Sequence, residues 1–69
     1  MSTQIDTGLD AQIACVARQI RMREQVYPRL IAQGRMSPNE ERTELECMRA
    51  VLATLKQVRE RESGQGRLL

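Results

Sequence analysis

Two stretches of apolar residues at helical spacing, divided by one stop-and-start signal, leave this chain little choice of architecture. Leu9, Ile13, Val16, Ile20, Tyr27 and Leu30 recur at alternating steps of four and three, and Arg23 occupies the one step that lacks an apolar residue. That is the seam of a heptad pattern on a helix. Val26 and Ile31 widen it, while Cys15 and Met22 lie together on its flank. Further on, Leu45, Met48, Leu52 and Leu55 form a second stripe, with Val51 and Val58 beside it. An apolar face this broad asks for more than one neighbour.

The signal between the stripes is local and specific. Gly34 suits the left-handed position just past a helix C-terminus. Ser37-Pro38-Asn39-Glu40 fits a capping box: Ser37 accepts from the amide three residues on, Pro38 is preorganised for the first helical position, and Glu40 reaches back. Pro28 interrupts the first stripe, removes one backbone donor and crowds the carbonyl of Glu24, so a kink is expected near Tyr27. The pattern predicts a flexible N-terminal arm over 1–8, a helix over 9–33 kinked near Pro28, a turn over 34–37, a helix over 38–62 and a flexible tail over 63–69.

So short a connection makes the pair an antiparallel hairpin. Facing residues then have numbers that add to about 71, which brings Tyr27 near Glu44, Arg23 near Met48 and Val16 near Leu55. Cys15 and Cys47 fall about nine residues out of step, roughly 13 Å along the axis, too far for a disulfide within the hairpin. Both read as small hydrophobes beside the stripes. Arg23, in the seam, is expected to pair with Glu44.

Two helices touching along one seam bury too little apolar surface to offset the ordering of their residues. The fold class expected is therefore all-α: a two-helix antiparallel hairpin that homodimerises into a four-helix bundle. Ile13, Val16, Ile20, Met48, Val51, Leu52 and Leu55 are the expected dimer core.

Composition narrows the chemistry. The 69 residues include no histidine, tryptophan or phenylalanine, one tyrosine and two cysteines. No base stands ready for a cysteine nucleophile, and no Cys-x-x-Cys, phosphate-binding glycine loop or calcium loop is present, so neither enzyme activity, metal nor cofactor is expected. No apolar run is long enough to span a membrane, and the N-terminus lacks the pattern of a secretory signal, which together predict a cytosolic protein. The formal charge of +2 is too small to announce a nucleic-acid binder. Its distribution is uneven: residues 9–35 carry five arginines against Asp10 and Glu24, whereas 36–62 carry six glutamates against four arginines and Lys56.

Partner contacts are the remaining use for these side chains. Tyr27, at the kink among arginines, and Arg23 are candidates because Tyr and Arg are enriched in binding hot spots. Glu40, Glu41 and Glu44, with Glu46, at the acidic start of the second helix form a candidate ridge that imitates phosphates toward a DNA-binding helix. Arg18, Arg21 and Arg29 support a competing reading, a small dimeric RNA-binding regulator that uses the basic face of helix one. A third reading is a structural or assembly helper.

Met22-Arg23, Tyr27-Pro28, Gly34 and Met36, followed by a capped helix with Glu44 and Met48, resemble a group of small phage and prophage two-helix proteins over roughly residues 18–58. In size and sequence as a whole, the chain resembles quorum-sensing anti-activators of Mu-like Pseudomonas phages. The resemblance implies an early phage protein, active in the host cytoplasm, that binds and inhibits a LuxR-type (LasR-like) transcriptional activator and the type IV pilus assembly ATPase. Host takeover and superinfection exclusion would follow. It carries over no individual binding residue.

Overall fold

A computed structural model describes residues 7–67, with side chains through Glu62. Its elements are α1, Leu9–Ala32, and α2, Pro38–Arg67, packed against each other. No strand occurs among the described residues.

Each helix end has an identifiable local cause. Gly8 is the N-cap of α1, and its carbonyl accepts the Gln12 amide at 2.9 Å. Gln12 also donates its side-chain amide to the Thr7 carbonyl at 2.6 Å. At the other end Gly34 adopts φ +72°. The Arg35 amide reaches back to the Leu30 carbonyl at 2.8 Å, and the Gly34 amide to Ile31 at 3.0 Å. This nested pair is a Schellman motif, which supplies donors to carbonyls the helix would otherwise leave open. The capping box forms as the sequence predicts: the Glu40 amide donates to Ser37 Oγ at 3.1 Å, and the Ser37 amide to Glu40 Oε1 at 3.2 Å. Glu40 and Glu41 also place negative charge on the first turn of α2, where the helix dipole favours it.

α1 continues through Pro28 to Ala32 rather than stopping there. α2 runs beyond the expected end at Glu62: its backbone stays helical through Ser63, Gly64, Gln65 and Gly66 to Arg67, so the tail expected over 63–69 is corrected over its first five residues. Extending an existing helix requires no new nucleus, and each glycine costs only about 1 kcal/mol relative to alanine. Of the expected N-terminal arm, residues 1–6 lie outside the described residues, as do Leu68 and Leu69.

Two ion pairs span the helices in antiparallel register. Arg49 meets Glu24 at 2.6 Å and Arg59 meets Asp10 at 3.0 Å. Their partners lie 25 and 49 residues apart in sequence. Both fit the pairing rule expected from a short connection.

The interior is small. Among the described residues Ile13, Ile20 and Leu45 are the buried side chains, and none of the three is wholly out of solvent. Ile13 and Ile20, expected in a dimer core, are thus already covered within a single hairpin, by α1 lying on α2. Val16, Met48, Leu52 and Leu55 are half-buried, and Val51 is exposed. The molecule measures 54 × 37 × 12 Å, so it is one helix diameter thick. Its radius of gyration of 16.4 Å exceeds the ~11 Å expected for a compact chain of this length. It exposes 5799 Å², against the ~4,400 Å² that size scaling gives a 7.9 kDa monomer.

Candidate functional site

A layer one helix thick has two broad faces. Apolar grooves mark two places on this layer. Val16, Cys15 and Ala11 of α1 join Val51 and Leu55 of α2 around a depression of about 510 Å³ that also touches Thr7 and Gln12. Val16 beside Leu55 is the juxtaposition that the sequence register anticipates. Toward the hairpin tip, Gln19, Met22, Arg23, Val26 and Tyr27 line a second depression of about 290 Å³. Met22, Val26 and Val51 are 48%, 41% and 46% exposed, high values for large apolar side chains in a chain with so small a core. The width of the two stripes was the signal for these residues: side chains on the flank of a seam meet no partner within one hairpin.

Arg23 does not pair with Glu44. Its guanidinium donates instead to Gln19 Oε1 at 2.6 Å, and at longer range to the Gln19 carbonyl at 3.4 Å. Gln19 lies one turn away on the same helix, so this partner is reached without crossing to α2, while Glu44 stays exposed. Tyr27 is half-buried beside Arg23, so the two α1 contact candidates do converge on one groove.

The acidic candidates are divided. Glu41 is half-buried and lines a polar groove of about 410 Å³ with Glu24, Pro38, Arg42, Leu45, Glu46 and Arg49. Glu40 and Glu44 lie one turn apart, both exposed, and Glu40 is also held by the capping box. Of the expected ridge, Glu41 is thus half-buried while Glu40 and Glu44 are open to solvent.

The ion pairs also partition charge. Asp10 and Glu24 are the only carboxylates on α1, and both are taken by arginines of α2. Arg18, Arg21 and Arg29 remain exposed on α1, without an ion-pair partner among the described residues. The unequal charge visible along the sequence is sharpened by the fold into a basic outer edge on α1 and an acidic start on α2.

Cys15 and Cys47 are free thiols and both are exposed. Cys15 does border the apolar groove. Among the described residues no group of three or more Cys, Asp or Glu side chains could hold a metal ion. No described helix is long and apolar enough to cross a membrane. Compared with known proteins, the chain matches no family model, no curated protein and no solved structure.

Proposed function

We propose that this chain is a non-catalytic phage protein that homodimerises through its apolar face into a four-helix bundle and inhibits host proteins by covering their working surfaces. The targets proposed are a LuxR-type transcriptional activator, LasR-like, and the type IV pilus assembly ATPase, both in the host cytoplasm. The resemblance to phage quorum-sensing anti-activators supplies these targets. The observation that carries the binding-module reading is the one-helix thickness of the hairpin, 12 Å, with Val51 left open beside the groove formed with Val16 and Leu55. A second copy on that face would supply the missing layer and bury Val16, Val51 and Leu55, with Met48 and Leu52 beside them. Tyr27, Arg23, Glu40, Glu41 and Glu44 are the proposed contacts.

Inhibition is then a matter of occupancy. The acidic start of α2 presents carboxylates to the basic helix with which an activator reads DNA, and competes with the phosphates for it. A gel-shift experiment tests this: adding the chain should release the activator from operator DNA, and Glu40→Lys with Glu41→Lys should abolish the release while the fold persists by circular dichroism. Release undiminished by both substitutions would remove the acidic contacts from the account.

The RNA-binding alternative keeps one specific support, the exposed Arg18, Arg21 and Arg29 of α1, which have no ion-pair partner among the described residues. RNA binding through these arginines would fall steeply with salt.

A further inference from the structure

The outer edge of α1 has a pattern that neither the acidic contacts nor the dimer face uses. Arg18, Met22, Val26 and Arg29 fall at steps of four, four and three, so they run in one line along the helix. All four are exposed. The two arginines bracket the two apolar side chains, roughly 16 Å apart at 1.5 Å per residue, with the anchors roughly 6 Å apart between them. Arg21 stands beside the line, also exposed.

No carboxylate of this helix is left to neutralise the edge. Asp10 and Glu24 are both drawn to α2 by Arg59 and Arg49. The two interhelical ion pairs therefore also leave the guanidinia of Arg18, Arg21 and Arg29 unpaired among the described residues. Beside the line lies the groove of about 290 Å³ in which Arg23, held to Gln19, meets Tyr27.

We infer that this edge is a second docking surface, for an acidic amphipathic helix of a partner protein. Charge complementarity selects the sign of the partner, and the two apolar residues between the charges select its class. A helix with carboxylates eleven residues apart, bracketing two apolar side chains, matches the line residue for residue when laid along α1. Arginine suits this work because its planar fork takes a carboxylate in bidentate fashion. A nucleic acid would meet the arginines but gain nothing from Met22 and Val26, and the chain's only aromatic ring, on Tyr27, is half-buried rather than presented for base stacking. The inference does not depend on the acidic contacts of α2. A protein with both surfaces can hold a basic and an acidic partner by different sides.

The test uses the full chain and a labelled synthetic helical peptide on an alanine–glutamine background, with two glutamates eleven residues apart bracketing two leucines. A second peptide carries serine for both leucines, and an RNA hairpin serves as the polyanion control. Fluorescence anisotropy should report saturable binding of the first peptide, weakened about tenfold or more by Arg18→Glu with Arg29→Glu, and by a similar factor by Met22→Ser with Val26→Ser. The serine peptide should bind at least about tenfold more weakly. Amide shifts of the unaltered chain on adding the first peptide should centre on residues 18–29, a readout that needs no variant to fold. Absence of peptide binding would overturn the inference. So would equal binding of the two peptides, shifts centred on α2, or an RNA affinity that exceeds the peptide's and ignores Met22→Ser with Val26→Ser. Because no activator domain is used, failure here leaves the proposed anti-activator role standing, and failure of that role leaves this surface standing.

Discussion

Glu24 and Arg49 meet at 2.6 Å across the two helices, and the pair borders one groove with the buried Leu45. It links α1 to α2 near the middle of the hairpin, and it engages one of α1's two carboxylates. Both side chains stay about half exposed, so the pair stabilises only weakly. A double-mutant cycle with Glu24→Gln and Arg49→Gln should give a coupling of about 0.2–1 kcal/mol that shrinks in 1 M salt. A coupling of several kcal/mol would mean that the pair is far less solvated than this geometry allows.

The turn makes a sharper demand. Gly34 holds φ +72°, and a Cβ there would meet no atom within 4 Å. The penalty of a side chain is therefore conformational alone. Gly34→Ala should cost about 1–2 kcal/mol in urea unfolding, and Gly34→Asn distinctly less, because asparagine visits the left-handed region more readily. Equal losses for both substitutions would point to crowding instead.

Pro28 is a residue whose removal should help the fold. It leaves the Glu24 carbonyl without the amide donor that any other residue would supply. Pro28→Ala should raise stability by about 1–3 kcal/mol and increase the helical signal in circular dichroism. A loss of stability would show that contacts of the proline ring outweigh the missing hydrogen bond.

For the proposed dimer, sedimentation equilibrium should give twice the chain mass of 7.9 kDa. Val51→Glu with Leu55→Glu places two carboxylates in the apolar groove and should return the chain to monomer. A wild-type monomer at micromolar concentration would refute the four-helix bundle.

What the sequence made legible was local. Ser37 and Glu40, and Gly34 with its neighbours, form hydrogen bonds within a few residues of one another, so their types and spacing suffice to place both helix ends. Ile13 and Ile20 were legible as core because they lie on the centre line of their stripe. Leu45 was visible in its stripe but was not among the residues expected in the dimer core. Its burial depends on which edge of α2 turns toward α1, a tertiary choice. The partner of Arg23 was misread for a related reason: Gln19 and Glu44 are both within reach of a long side chain, and rotamer and register decide between them. α2 runs past Glu62 through Gly64 and Gly66, since a glycine penalises a helix by only about 1 kcal/mol. As for the site, the charge contrast could be read along the chain. Its sharpening could not, because that requires knowing that Asp10 and Glu24 find Arg59 and Arg49.

The central claim is that this protein acts by binding a regulator's DNA-reading surface. Calorimetric titration of the full chain into the isolated DNA-binding domain of a LuxR-type activator, at about 0.15 M salt, tests it most directly. The account predicts micromolar or tighter binding that operator DNA abolishes by competition. The absence of heat from a folded, dimeric protein, or binding that operator DNA leaves unchanged, would contradict it.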